Sequence, residues 1–165
     1  MKFFKPNRFF KRITSIDIEK DIIEQGISFL LLDIDNTVLT RDTHEIPSDV
    51  ENWLKDARLR GLQICFVSNN WHQSVKEVGK KLGIPVVTKA VKPLPHAFFK
   101  ARRMLGASRK ETLVIGDQFM TDILGAHNAG LKAYLLLPLV DADLTHTLLL
   151  RHVEKIFLRN IRPEK

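Results

Sequence analysis

Apolar residues gather into five runs of strand length, at 27–33 (ISFLLLD), 62–68 (LQICFVS), 85–88 (PVVT), 112–117 (TLVIGD) and 132–137 (KAYLLL). The longer runs are apolar almost throughout instead of alternating, the pattern of strands covered on both faces in a parallel sheet. Helical patterns fill the gaps. Ser48 begins Ser-Asp-Val-Glu, which predicts a capping box with Glu51 and a helix running on to Gly61. Segments 72–82, 94–105 and 121–129 predict three further helices, each followed by a glycine (Gly83, Gly106, Gly130) where a left-handed cap is expected. Strand and helix alternate, so the predicted fold class is α/β, a doubly wound, Rossmann-like parallel sheet of about five strands flanked by helices. A last amphipathic helix is predicted over about 144–161, with Leu149, Val153, Ile156 and Phe157 on one face.

Composition narrows the classes. With 165 residues and 44% hydrophobic content the chain can build a single domain with a core and is too apolar for a disordered segment. The lone cysteine, Cys65, excludes an internal disulfide framework and a cysteine zinc cluster, and its apolar surroundings predict a buried, inert thiol. No run approaches the roughly 20 apolar residues of a membrane span. The first residues, MKFFKPNRFFKR, lack the apolar stretch of a secretory signal, though a short basic presequence stays open. The six histidines have no metal-binding spacing.

The net charge of +7 is uneven. Lys2, Lys5, Arg8, Lys11 and Arg12 crowd the beginning, interleaved with Phe3, Phe4, Phe9 and Phe10. Arg151, Lys155, Arg159, Arg162 and Lys165 crowd the end. The chain therefore divides into a basic aromatic segment, 1–20, and a domain, 21–165, that includes the C-terminal helix. Cations among aromatics suit an anionic lipid surface or nucleic acid. The alternative is a solvated tail whose phenylalanines pack on the domain.

Candidate chemistry lies where strands end, since open α/β sheets bind ligands beyond the carboxyl ends of their strands. The first predicted strand ends at Asp33 and runs into Ile34-Asp35-Asn36-Thr37. The second ends in Ser68-Asn69-Asn70, the third leads through Thr88 to Lys92, and the fourth ends Gly116-Asp117 with Asp122 one turn later. Acids gathered in one cleft repel each other unless a cation neutralises them, and hard oxygen ligands favour magnesium. A lysine and a hydroxyl beside such an ion suit phosphoryl transfer, for which a carboxylate can be the nucleophile. Asp33 and Asp35, one residue apart, can divide the work of attack and proton transfer. Trp71 either lines the mouth of this cleft or packs against the domain.

These residues resemble the four motifs of the haloacid dehalogenase superfamily: Asp-Ile-Asp-Asn-Thr-Val-Leu-Thr (33–40), Val67-Ser68-Asn69, Lys92 in Val91-Lys92-Pro93, and Gly116-Asp117-Gln118-Phe119-Met120-Thr121-Asp122. They occur in order, after the expected strands, across most of the chain. The resemblance implies a Mg2+-dependent phosphomonoester hydrolase working through an aspartyl-phosphate. It implies Asp33 as nucleophile and metal ligand, and Asp35 as general acid/base with its carbonyl on the metal. Ser68, Asn69 and Lys92 would hold the phosphoryl group, Asp117 would bind metal, and Asp122 would support the metal's waters or orient Lys92. An acid at position 35 marks phosphatases; members that store the phosphoenzyme for transport tend to carry threonine there.

Only about 30 residues separate Asp35 from Ser68, and fewer separate Ser68 from Lys92. No cap domain fits. The chain is similar in this to small, capless class III phosphatases, including relatives of mitochondrial phosphatidylglycerophosphate phosphatase. That resemblance implies phosphatidylglycerophosphate as substrate, taken at a membrane surface in phospholipid biosynthesis by a cytoplasmic protein peripheral on the inner face. An open cleft also suits a second copy of the chain as cover. Two other readings stand: a phosphatase of soluble phosphometabolites or nucleotides, and a basic nucleic-acid- or ribosome-associated module, though no P-loop or RNA-recognition motif is present.

Overall fold

The computed structural model describes residues 5–140 and 162–164. Six strands, all parallel, form one sheet: β1 (Arg8–Phe10), β2 (Phe29–Leu32), β3 (Gln63–Val67), β4 (Val86–Val87), β5 (Thr112–Gly116) and β6 (Lys132–Leu136), in the spatial order β1-β6-β5-β2-β3-β4. The helices are α1 (Ser48–Leu59), α2 (Gln73–Leu82), α3 (His96–Leu105) and α4 (Leu124–Asn128). The helix expected over about 144–161 lies outside the described residues.

Successive residues of each strand enter different cores, which explains the continuous apolar runs. Leu30 and Leu32, Ile64 and Phe66, Leu113 and Ile115, and Tyr134 and Leu136 join one cluster, together with Val50, Trp53, Leu54 and Ala57 of α1 and Val75 of α2. The intervening Leu31, Cys65, Val67, Val114, Ala133 and Leu135 join the other, against Ala97, Phe98 and Ala101 of α3 and Ala126 of α4. A strand between two helical layers has no face for water, so alternation disappears from its sequence.

The first strand corrects the expected division at residue 20. From Arg8 onward the N-terminal segment belongs to the sheet. β1 pairs with β6, with Phe9 opposite Leu135, and Phe9 and Phe10 are buried on opposite faces. Ile13, Ile16, Ile18 and Ile22 continue this segment into the core on the α1 side. Truncating Phe10 would cost about 3–5 kcal/mol, far more than a solvated tail residue. The described C-terminal residues then cover the outer edge: Glu164 N–H donates to the Phe9 carbonyl at 2.6 Å, and Arg8 bridges Asp21 and Glu164 at 2.6 and 2.5 Å. Among the described residues, this bridge is what covers the outer edge of β1.

The start of α1 also differs from expectation. Pro47 occupies the cap position, its carbonyl accepts the Glu51 N–H at 3.0 Å, and no side chain caps the helix. Ser48 is already helical, so its hydroxyl is one residue too late for a capping box. The helix C-termini agree with the glycine pattern: Gly83 and Gly106 follow α2 and α3 at φ 63° and 64°, a region open to glycine at little cost.

The chain enters the sheet centre at β2, moves outward through β3 and β4, then crosses back to β5 on the other flank of β2. The strand order thus reverses around β2, and the crevice at its carboxyl end is the expected ligand position.

Candidate active site

Register decides which residues meet in that crevice. Leu32 lies beside Phe66 of β3 and Ile115 of β5, so Asp33 emerges between the ends of both neighbours, its N–H donating to the Ile115 carbonyl at 2.9 Å. Lys92 arrives from the loop beyond β4. Its Nζ lies 2.5 Å from Asp33 Oδ1, 2.6 Å from Asp122 Oδ1 and 3.0 Å from the Val67 carbonyl, so all three ammonium protons have acceptors. Carboxylate oxygens of Asp33, Asp117 and Asp122 lie within 4.8 Å of one another, and all three residues are buried.

Gly116 makes this convergence possible. A Cβ there would stand 2.3 Å from Asp122 Oδ2 and 2.4 Å from its Cγ. The Asp122 carboxylate folds back over the end of β5, where Oδ2 accepts the Gln118 N–H at 3.1 Å while Oδ1 holds Lys92. The wide helical turn over Phe119–Ile123 presents Asp122 to this spot.

Asp35, two residues beyond Asp33, goes elsewhere. The chain leaves β2 into a tight turn in which the Ile34 carbonyl accepts from Val38 and Leu39, and Asn36 adopts φ 63°. The Asp35 carboxylate faces the end of β3, with Ser68 Oγ donating to it at 3.3 Å and Asn70 Nδ2 at 3.5 Å. Ser68 is fully buried, and its Oγ also accepts the Asn70 N–H at 2.9 Å. The expected site residues thus form two adjoining groups: Asp33, Lys92, Asp117 and Asp122 in one, Asp35 and Ser68 in the other.

Asn69, expected to hold the phosphoryl group, turns its side chain to the Lys92 main chain. Its Oδ1 accepts the Lys92 N–H at 2.7 Å and its Nδ2 donates to the Lys92 carbonyl at 3.3 Å. Two contributors were missed: the Val67 carbonyl, because main-chain groups carry no sequence signal, and Asn70, whose only signal was its place in the Ser-Asn-Asn run. Among the described residues no histidine joins the acidic cluster. Cys65 is buried, its thiol pushed up to about 12 by burial, as expected of an inert cysteine.

Among the described residues acids outnumber bases here: three clustered carboxylates gather around the Lys92 ammonium, with Asp35 adding its field. Burial, opposed by Lys92 but reinforced by Asp122, Asp117 and Asp35, holds the Asp33 carboxyl well above the usual range. Burial pulls on the Lys92 ammonium in the opposite sense, yet Asp122 and Asp33 outweigh it and the group stays protonated. Such a cluster attracts a further cation. Its donors are all hard carboxylate oxygens, without sulfur or imidazole, which fits a magnesium-type ion. A broad hollow beside Lys55, Arg58 and Leu59 on α1 contains none of these groups.

Comparisons with known proteins bear on the family and the fold. A family model described as a haloacid dehalogenase-like hydrolase matches residues 4–130. The probable phosphatase YqeG of Bacillus subtilis (strain 168) is 34% identical over 161 residues, covering 98% of this chain and 93% of that one. The cobalt-bound deoxy-D-mannose-octulosonate 8-phosphate phosphatase from Haemophilus influenzae superposes with a TM-score of 0.57 at 15% identity, covering 82% of this chain and 89% of that one. A HAD phosphatase from Thermococcus onnurineus gives 0.53 at 17% identity, covering 72% and 90%. At those identities the two structures speak for the fold.

Proposed function

We propose that this chain, which belongs to the haloacid dehalogenase-like hydrolases and is a phosphatase of that family, transfers a phosphoryl group first to Asp33 and then to water. The observation that carries this reading is the meeting of Asp33, Lys92, Asp117 and Asp122, from separate strand ends, in one buried cluster. A carboxylate oxygen of Asp33 attacks phosphorus, the ester P–O bond breaks, and Asp35 gives its proton to the departing oxygen. Water then attacks the aspartyl-phosphate, Asp35 takes its proton, and the bond to Asp33 breaks with release of phosphate. Lys92 and Ser68 hold the equatorial oxygens. Asp33 and Asp117, with the Asp35 carbonyl, are the groups to hold Mg2+, which when bound supplies positive charge against the phosphoryl oxygens and the nucleophile.

As substrate we propose phosphatidylglycerophosphate at an anionic membrane surface. The support is the rim of the crevice. Trp71, Val91 and Leu94 are 66%, 57% and 53% exposed, on the two loops laced together beside Lys92, and Lys89 Nζ stands 5.4 Å from the Trp71 ring centroid. An exposed aromatic with aliphatic neighbours and a cation suits a lipid interface. The buried Phe9 and Phe10 do not serve for this, so the rim replaces them as the described apolar contact. Among the described residues no helix is long and apolar enough to cross a membrane.

Phosphate release from a panel tests both levels. Micellar phosphatidylglycerophosphate should be turned over faster than soluble sugar phosphates and nucleotides, and preference for a soluble ester would overturn the lipid assignment alone. Trp53→Phe leaves Trp71 as the single tryptophan. Its emission should move to shorter wavelength on phosphatidylglycerol vesicles and stay put on phosphatidylcholine; emission unchanged on both removes the membrane contact.

A further inference from the structure

We propose that Asn69 is a positioning residue for Lys92: its carboxamide grips the Lys92 main chain at both N–H and C=O, keeping Nζ between Asp33 and Asp122 on a loop that is bent against its own preference. The inference rests on the reading of Lys92 as the group that holds the phosphoryl oxygens.

The loop before Lys92 is conformationally costly. Lys89 and Val91 both adopt φ 51°, the left-handed region. For a β-branched residue such as Val91 this backbone is an outlier, costly to hold unless the surroundings impose it. Val91 is 57% exposed, so no core packing holds it there. The surroundings that impose the bend come from the end of β3. The Ser68 carbonyl accepts from Ala90 N–H at 3.0 Å and the Asn70 carbonyl from Lys89 N–H at 3.4 Å. Between them the Asn69 side chain makes its two bonds to Lys92, at 2.7 and 3.3 Å. The Val67 carbonyl then takes the Lys92 ammonium itself. Four consecutive residues thus address one loop, and Asn69 is the one of them that fixes the Lys92 main chain.

This grip occupies Oδ1 and one amide proton of Asn69. A carboxamide turned to a phosphate would present its donors and leave the Lys92 N–H without this acceptor. Asn69 therefore acts through Lys92. Placement matters because a misplacement of about 1 Å in a catalytic group can lower a rate about a hundredfold.

The test is a double-mutant cycle with a rescue. Asn69→Ala should lower kcat roughly tenfold to a hundredfold. In a Lys92→Ala background the same change should do almost nothing further, because the residue it positions is gone. Losses that multiply would show Asn69 touching substrate directly and overturn the proposal. Val91→Gly in the Asn69→Ala protein should recover part of the lost kcat, since glycine holds the left-handed bend without the grip; no recovery also counts against it. Independently of turnover, the Lys92 ammonium should give a slowly exchanging 1H–15N signal that weakens in Asn69→Ala and returns with Val91→Gly. An unchanged signal in Asn69→Ala refutes the positioning role even where activity falls. A wild-type protein without phosphatase activity would instead refute the catalytic reading, leaving the ammonium signal to decide the role of Asn69.

Discussion

Two of the protein's networks of charged side chains follow opposite rules. At the sheet edge, Arg8 reaches Asp21 and Glu164 at 2.6 and 2.5 Å and lies 4.6 Å from the Phe10 ring centroid. There the groups are partly solvated, with Arg8 at 31% and Glu164 at 44% side-chain exposure. In the crevice, Lys92 makes contacts of the same length to Asp33 and Asp122, but both acids and the lysine are nearly dry and the acids outnumber it. The edge network fastens two chain segments, and water limits what it can gain or lose. The crevice network, among the described residues, gathers more acids than bases in a buried place, an arrangement that opposes stability and suits a ligand.

The sharpest way to break this contrast is to remove one acid from the crevice. Asp33→Asn should lower turnover by more than about a thousandfold, since an amide is a poor nucleophile. Near-normal phosphate release by this variant would end the assignment. Without added metal the same variant should melt higher than wild type, by about 2–4 °C per kcal/mol gained, because one of several mutually repelling carboxylates is gone. Magnesium should raise the wild-type melting temperature and restore activity lost to EDTA, with about 2.7 kcal/mol of stabilisation at a hundredfold excess over its dissociation constant. Activity persisting in excess EDTA would contradict the fit of the carboxylate cluster to a metal.

Removing the base should do the reverse. Lys92→Met keeps most of the side-chain length but leaves Asp33 and Asp122 buried without their ammonium. Breaking a buried pair from one side costs about 3–5 kcal/mol, so denaturant unfolding should show a loss of that order. A stability equal to wild type would mean the crevice is wetter than its burial implies. The opposite signs expected for Asp33→Asn and Lys92→Met are the signature of a site holding too many acids.

The sequence made the central strands legible because each is buried on both faces, leaving apolar runs no other element would carry. β1 escaped because it has three residues, Arg8–Phe10, set among cations that read as solvated. Only the folded chain supplies Asp21 and Glu164 to neutralise Arg8 and a second core to take Phe9. In the site, the candidate acids and Lys92 were legible from their positions after strands. Their partners were not. Asp33 and Asp35 look like a pair in sequence, yet the turn after Ile34 sends one to Lys92 and the other to Ser68 and Asn70. The grip of Asn69 on a main chain 23 residues away depends on loop geometry that residue types do not encode.

The smallest expected effect belongs to the edge. Glu164→Ala removes the outer partner of Arg8 but leaves Asp21 in place, and at 44% side-chain exposure the lost pair is open to water. Exposed pairs of this kind contribute about 0–1 kcal/mol, so the unfolding free energy should fall by no more than that and turnover should not change. Salt should narrow the difference further, since solvent screens this pair and not the crevice. A loss of several kcal/mol from Glu164→Ala would show that Glu164 does more than balance a charge, namely that its place against Phe9 and Phe10 holds the whole of β1 in the sheet. The backbone bond from Glu164 N–H to the Phe9 carbonyl survives that substitution. An effect confined to the side chain is therefore the result that keeps the two networks different in kind.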